Sequence, residues 1–232
     1  MRAFHFALFL LPLVTFGQEK KWYVTSGGEW IFSVPILDVA GNDQGGIVRF
    51  SPVVNAQFNF NYDFGKSAGL FTGLAVRNVG FIYQVPDTTI RKKFRTYNLG
   101  VPVGLKFGNM NSTLFFLGYE LELPINYKEK TFENERKTDK FNVWFSDRNE
   151  SFMQAVFAGV QFKYGTALKF KYYLSNFHNK EFSENVDGVN SKPYAALNAN
   201  VFYVSLSYAL FRNSKFTYST GGTPASPQAM LW

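Results

Sequence analysis

Apolar and small or polar residues alternate along most of this 232-residue chain, and that alternation constrains its fold more than any other feature. Residues that alternate with a period of two point to opposite faces of a β-strand. Eight segments with this pattern are separated by turn-forming residues, and they cover residues 28–36, 47–64, 68–83, 94–107, 113–127, 152–164, 166–177 and 201–211. The sequence therefore predicts an all-β protein with eight strands.

The connections between the predicted strands alternate in length. The short ones lie at residues 65–67, 108–112 and 165, and the long, polar ones lie at residues 38–46, 84–93, 128–151 and 178–200. Bacterial outer-membrane barrels have short periplasmic turns and longer external loops. The pattern predicts an antiparallel up-and-down barrel with both termini in the periplasm. We expect the barrel to be monomeric.

The two faces of the predicted strands differ in the size of their side chains. Phe58 and Phe60 share one face of their segment, and Leu99, Val101 and Leu105 share one face of another. A packed eight-stranded interior holds roughly twelve side chains, far fewer than these apolar faces supply. The opposite faces carry small or polar residues, namely Asn55, Gln57, Asn59, Gly100, Gly104, Gly118, Ser205 and Ser207. We therefore expect a transmembrane barrel with its apolar face toward lipid and a polar lumen filled by side chains.

Aromatic residues near the strand ends are expected to form interfacial girdles, namely Tyr62, Phe64, Phe107 and Tyr127.

Charged residues also fall on the predicted inward face. They are Arg49, Arg77, Glu120, Glu122, Lys169 and Lys171. An unpaired charge in a narrow interior is very costly, so a network of salt bridges that closes the lumen is expected. A proton path or small-ion conduit is the alternative, since eight strands are too narrow for an open porin channel.

The two ends of the chain differ from the predicted barrel in composition. Arg2 precedes an apolar run from Phe6 to Val14, and small residues lie near Gly17, which is typical of a secretory signal peptide over residues 1–17. The barrel is expected over residues 18–212. Residues 213–232 contain several Gly and Pro, which predicts a flexible periplasmic tail. The absence of Cys agrees with a bacterial envelope protein and excludes disulfides.

Residues that could carry chemistry are scarce. His178 lies in a predicted loop with Ser175, Glu181, Ser183 and Asp187, but without the spacing of a known Ser–His–Asp device. With two His and no Cys in the chain, we predict no metal site, no cofactor and no catalytic residues. A lipid-modifying enzyme at the outer rim, centred on His178, is kept as an alternative.

The predicted loop over residues 128–151 combines charges of both signs with large aromatic residues. A solvated loop is the default expectation, but Phe132, Phe141, Trp144 and Phe145 exceed what such a loop requires. They are expected either to extend the sheet past the membrane or to form an extracellular docking surface. The formal net charge of +7 is a mild excess of cations. The expected partners are outer-membrane lipid and lipopolysaccharide, together with other envelope or secretion proteins, and no nucleic acid.

Four stretches of the second and third predicted strands resemble outer-membrane β-barrel domain proteins of the Bacteroidota, which are small barrels of the OmpA and OmpX kind. They read Val48-Arg49-Phe50-Ser51-Pro52, Asn61-Tyr62-Asp63-Phe64-Gly65, Gly69-Leu70-Phe71-Thr72-Gly73-Leu74 and Arg77-Asn78-Val79-Gly80-Phe81. The family includes secretion components of the PorT type. The resemblance implies an eight-stranded barrel in the outer membrane and transfers no catalytic residue. A structural or interaction role is expected, with an accessory part in a secretion machine as the alternative.

Overall fold

The computed structural model describes residues 21–186, 188–208 and 210–211. Its strands are β1 (Lys21–Val39), β2 (Asn42–Gln44), β3 (Arg49–Ser51), β4 (Ala56–Asp63), β5 (Ala68–Gln84), β6 (Ile90–Gly108), β7 (Leu114–Glu133), β8 (Arg136–Trp144), β9 (Met153–Gln161), β10 (Thr166–Tyr173), β11 (Glu184–Val186), β12 (Val189–Ser191) and β13 (Leu197–Tyr208). In this part of the chain no helix has the length and apolarity needed to cross a bilayer. The predicted signal peptide and tail lie outside the described residues.

Eight of the strands form a closed antiparallel ring. The order around the ring is β1, β4, β5, β6, β7, β9, β10 and β13, and β13 pairs again with β1 to close it. Glu29 of β1 lies opposite Ser207 of β13 in this closing pair. The connections after β4, β6 and β9 have four or five residues and lie at one rim. At the other rim the ring strands are joined by longer segments, except that β5 and β6 are joined by residues 85–89 alone, so the long connection predicted over residues 84–93 is wrong. The predicted eight-stranded antiparallel fold is confirmed, and the two rims are called the short-turn rim and the long-loop rim below.

The second predicted strand is interrupted. Residues 52–55 separate β3 from β4, and Val54 has a positive φ of 61°. The Asn55 side chain takes over ladder positions there: its amide donates to the Ser51 carbonyl at 2.9 Å, and its Oδ1 accepts from the Asn78 backbone N–H at 2.7 Å. Whereas β4 pairs with both β1 and β5, β3 pairs only with β1. A gap in the ladder therefore separates β3 from β5.

The segment over residues 128–151 is largely a β-hairpin, so the default prediction of a solvated loop is wrong and the alternative, in which the segment extends the sheet, describes it. β7 continues to Glu133, and β8 returns alongside its upper half, whereas β9 pairs with its lower half. Asn134 and Glu135 have φ values of 47° and 62°, as in the tight turns that favour hairpins. The wall formed by β6, β7 and β8 therefore rises beyond the rest of the long-loop rim.

A β-bulge at Ile125 reverses the alternation along β7. Asn98 of β6 pairs with Pro124 and Tyr97 pairs with Asn126, so Ile125 is left without a partner across from it. Beyond the bulge, Tyr127 points into the barrel and is fully buried. The prediction of Tyr127 as a girdle residue is therefore wrong, because an extra residue in one strand shifts every later side chain to the other face.

The outside of the ring carries a belt of apolar side chains. On β6 the exposed members are Leu99, Val101, Val103, Leu105 and Phe107. At ~3.4 Å per residue and a strand tilt of ~40°, the segment 97–107 covers a height of ~26 Å, close to the ~25 Å apolar band of outer-membrane barrels. Over this height, the outward positions of the described ring strands contain no Asp, Glu, Lys or Arg. Aromatic rings border the belt at the short-turn rim, with Trp22 and Tyr62 centred 4.4 Å apart.

Candidate functional site

The lumen is closed at the short-turn rim by an aromatic layer. Phe71, Phe116 and Phe157 pack there against Leu210 and Phe211. The Leu210 carbonyl accepts hydrogen bonds from Thr25 at 2.7 Å and from Asn59 at 2.8 Å, and the Phe211 N–H donates to Gln161 at 2.8 Å. The chain after β13 thus turns into the barrel and fills its end. The inward position 104 has room only for glycine, because a Cβ on Gly104 would lie 2.6 Å from the Phe71 ring.

Above this layer lies a network of six ionised side chains, which we call the lumen network. Its members are Glu29, Arg77, Glu120, Glu122, Lys169 and Lys171, and all of them are buried. Three carboxylates face three cations, so the network is neutral in total. Five of its members are candidates from the sequence, and Glu29 is not.

Arg77 lies at the centre of the lumen network. Its Nη1 lies 2.8 Å from Glu29 Oε1, and its Nε lies 3.2 Å from Glu120 Oε1. Lys169 adds a second contact to Glu29 at 2.6 Å. Lys171 binds Glu120 at 2.7 Å and also pairs with Glu122. Each carboxylate therefore contacts at least one cation, and together the pairs link β1, β5, β7 and β10 across the bore.

Neutral groups complete the coordination of the carboxylates. Ser205 donates to Glu29 at 2.9 Å, and Asn98 donates to Glu122 at 2.6 Å. The Tyr173 hydroxyl also donates to Glu122, at 2.8 Å. Because buried charges are tolerated when they are both paired and hydrogen-bonded, this arrangement favours a rigid plug.

A second buried ion pair lies toward the short-turn rim. Lys106 Nζ is 2.7 Å from Asp63 Oδ1, and the Tyr23 hydroxyl donates to the other oxygen of Asp63 at 3.0 Å. The inward direction of both residues could have been predicted from the sequence, because Asp63 shares a face with Asn59 and Lys106 shares a face with Gly104. Glu29 is harder to find, since β1 has bulky apolar residues on both faces around it.

Arg49 does not join the lumen network, which corrects its assignment from the sequence. Its guanidinium donates instead to the Asn78 carbonyl at 3.2 Å and to the Asn78 side chain at 2.5 Å. Because β3 and β5 are not paired, the long side chain of Arg49 extends through the gap between them. It lines a depression on the outer wall together with Lys93 and Arg95.

His178 lies in an aromatic layer that fills the lumen toward the long-loop rim. The rings of Phe81, Phe94, Phe177 and Tyr127 surround it, and its own ring stacks on Tyr194 at 4.3 Å. Within the described part of the chain, neither ring nitrogen has a hydrogen-bond partner. The described residues therefore provide no acid or nucleophile for this imidazole.

The other candidates for a Ser–His–Asp device lie apart from His178. Ser175 accepts a hydrogen bond from the Gln154 N–H at 2.9 Å, and Glu181 is exposed and pairs with Lys192. Ser183 is exposed, and Asp187 lies outside the described residues. No cluster of His, Asp and Glu suited to a metal ion occurs among the residues that the structure describes.

Acidification is expected to weaken the packing around His178. Burial, together with Lys92 and Arg148, lowers the pKa of His178 from 6.5 to about 3, so the native state resists the proton that the unfolded chain takes up below pH 6.5. Stability is then lost as the pH falls, by about 2 kcal/mol between pH 7 and pH 5. Thermal unfolding of wild type and His178→Phe at both pH values measures this contribution. An equal pH dependence in the two proteins would contradict it.

The four aromatic residues predicted to form a docking surface lie in three different environments. Phe141 packs inward against the upper aromatic layer, and Phe132 lies under Arg91 and Lys93 on the outer face of the hairpin. Trp144 and Phe145 are 64% and 70% exposed, next to Ile125 at the upper edge of the apolar belt. They do not form one surface: alternation turns Phe141 to the inner face, and Phe132 pairs with Lys137 near the hairpin turn, whereas Trp144 pairs with Asn126 at its base.

No family model and no curated protein matches this chain. Among solved structures, it is similar to Ail, the attachment invasion locus protein of Yersinia pestis, in complex with the heparin analogue sucrose octasulfate. The identity is 13%, the match covers 79% of this chain and 97% of Ail, and the TM-score is 0.35. It is also similar to Neisserial surface protein A, at 11% identity and a TM-score of 0.36, over 83% of this chain and 100% of that protein.

Proposed function

We propose that this protein is a monomeric, closed β-barrel of the bacterial outer membrane, with a structural or interaction role and no enzymatic activity. One observation carries the proposal: an uncharged apolar belt surrounds a lumen filled by paired charges. In water such a belt would leave many large apolar side chains exposed, whereas in lipid its height and composition match the hydrocarbon layer. Pairing of β13 with β1 also means that the first and last strands of the ring do not present an open sheet edge to the bilayer.

The proposed orientation places the short-turn rim in the periplasm. The tight connections after β4, β6 and β9 lie at this rim, together with both described ends of the chain. The long-loop rim, with the hairpin of β7 and β8, would then face outward, as in outer-membrane barrels with longer external loops. Trp144 and Phe145 would lie in the outer headgroup region, where aromatic residues are enriched.

Planar bilayer recordings test whether the lumen is closed. The lumen network and the aromatic layers on both sides of it place buried side chains along the bore, so the inserted barrel is expected to show no conductance steps. Insertion is checked in parallel by protease protection in vesicles. A variant with Arg77→Ser and Glu120→Ser keeps the network neutral, removes bulk from its centre and serves as a leaky comparison. Regular conductance steps from the wild type would contradict the proposal.

A second candidate is an accessory role in a protein secretion machine, as the resemblance to Bacteroidota proteins implies. The hairpin of β7 and β8 favours it, because the hairpin rises beyond the belt and its tip is exposed. Affinity purification in mild detergent after cross-linking would recover the partner. A variant lacking residues 131–138 is the control and should lose it. Recovery of the barrel alone from both proteins would count against this role.

A further inference from the structure

Five cations cover one side of the barrel just above the apolar belt, and we call them the basic wall. They are Lys93 and Arg95 on β6, Lys128 and Lys130 on β7, and Lys140 on β8. All five point outward, since the bulge at Ile125 turns Lys128 and Lys130 to this face. In the strand register Arg95 lies opposite Lys128, and Lys93 lies opposite Lys130, which in turn lies opposite Lys140.

The basic wall has no acidic counterpart in the described part of the chain. None of its five cations forms a salt bridge there, although neighbouring cations do. Glu135 binds Arg91 at 2.6 Å, and Glu129, on the inner face, binds Lys92 at 3.1 Å. Like charges directly opposite each other on adjacent strands destabilise a sheet. The barrel therefore keeps an unfavourable arrangement of charges that a bound anion would relieve.

Four of these cations, all except Lys140, line a depression with a volume of about 230 Å³. Arg49 forms one side of it, and this side chain is only 6% exposed and is held in place by Asn78. Val48, Phe50 and Ile82 supply apolar surface beside the charges. Burial and the nearby cations Arg49 and Lys130 lower the pKa of Lys93, as expected where positive charges crowd together.

The depression lies where a lipid headgroup would meet the barrel. Arg95 is two residues above Tyr97, at the upper edge of the belt, and Phe50 stacks on Phe32 at 4.8 Å on the outer surface. A ligand here would have its anionic part among the cations and its apolar part on the belt. Phosphate suits such a site, because it carries up to two charges and accepts paired hydrogen bonds from Arg.

We propose that the basic wall and Arg49 bind the phosphorylated headgroup of a lipid in the outer leaflet, of the phosphoglycolipid class. The site is on the outer wall, apart from the lumen network, and its assignment rests on the proposed membrane orientation. The bound lipid would neutralise the wall and fix the barrel's depth and rotation relative to its lipid neighbours.

Lipid binding to the purified, folded barrel in mild detergent tests this site. The probes are diphosphoryl lipid A, the same lipid without phosphate, inorganic pyrophosphate and a sulfated polysaccharide. A Lys93→Gln and Lys128→Gln double variant should bind diphosphoryl lipid A roughly 25-fold more weakly, at about fivefold for each cation near a lipid surface. The matched control is Lys66→Gln and Lys163→Gln at the opposite rim, which should change the affinity less than twofold.

A thermal readout separates loss of the site from misfolding. Without lipid, the double variant should unfold at the same or a higher temperature than wild type, because repulsion is relieved. With diphosphoryl lipid A, it should gain less stability than wild type. If the double variant does not fold, Lys130→Gln with Lys140→Gln replaces it, with the same expected results.

Several outcomes would overturn the inference. They are equal binding of the dephosphorylated lipid, binding of pyrophosphate as tight as that of the lipid, or preference for the sulfated polysaccharide. A barrel that inserts into vesicles but does not bind phosphorylated lipid would overturn this inference and leave the proposed membrane location intact. A chain that folds in water without detergent would instead overturn the proposed membrane location.

Discussion

Replacement of Glu120 with alanine is expected to lower the free energy of unfolding by about 3–5 kcal/mol. Glu120 contacts both Arg77 and Lys171 in the lumen network, at 3.2 and 2.7 Å, and all three side chains are fully buried. Its removal leaves three cations with two carboxylates among buried side chains. Urea unfolding in lipid vesicles, or the gel shift of the heat-modifiable barrel, measures the loss.

Two further variants show whether the loss arises from the charge. Glu133→Ala lies on the same strand but is exposed, so it should change stability by less than about 0.5 kcal/mol. Glu120→Met combined with Arg77→Met restores neutrality and leaves Glu29 paired with Lys169 and Glu122 paired with Lys171, so it should cost less than Glu120→Ala alone. An unchanged unfolding midpoint for Glu120→Ala would contradict the role given to the network.

Strict alternation made much of the lumen predictable from the sequence. Along β4, β6 and β10 the period of two is unbroken, so the inward positions of Gln57, Gly104, Lys169 and Lys171 follow from their neighbours. The identity of the apolar face is set by volume: large side chains cannot fill so narrow a bore. A closed barrel with charged side chains in its lumen can therefore be predicted from the sequence.

Wrong predictions of side-chain direction arise where one extra residue interrupts the alternation of a strand. Ile125 is an extra residue in β7, and nothing in its type marks it as a bulge, although Pro124 next to it lacks an N–H for the ladder. This extra residue reverses the side-chain directions of Tyr127, Lys128 and Lys130. The basic wall could not be predicted for this reason, since simple alternation places Lys128 and Lys130 inside.

Long side chains add a second source of error, as Arg49 illustrates. Its position within β3 is buried as alternation predicts, but its guanidinium extends through the gap toward Asn78 and the outer wall. The gap depends on how β3 and β5 are spaced in the closed ring, which is a property of tertiary structure. Side-chain direction at the Cβ therefore does not determine where the charge lies.

Replacement of Leu121 with arginine is expected to cost about 2–4 kcal/mol of unfolding free energy in lipid vesicles. Leu121 lies near the middle of the apolar belt on β7, opposite Val101, and points away from the lumen. A cation at the midplane of the bilayer must leave water or distort the lipid around it. In a water-soluble barrel the same substitution would place a charge on a solvated surface and change stability little, within about 0.5 kcal/mol.

The position of the charge along the barrel axis provides the control for Leu121→Arg. Asn198→Arg places the same side chain on the outer face of β13, beyond its apolar outward residues and opposite Asp38, where the cost is expected to be only about 0–1 kcal/mol. Leu121→Ala removes apolar contact without adding charge, and it separates lost packing from the cost of the cation. Equal stability of Leu121→Arg and Asn198→Arg in vesicles would mean that the belt does not face lipid. Because Leu121 and Glu120 are adjacent on one strand, large losses from both would show that lipid lies on one side of the barrel wall and paired charges on the other.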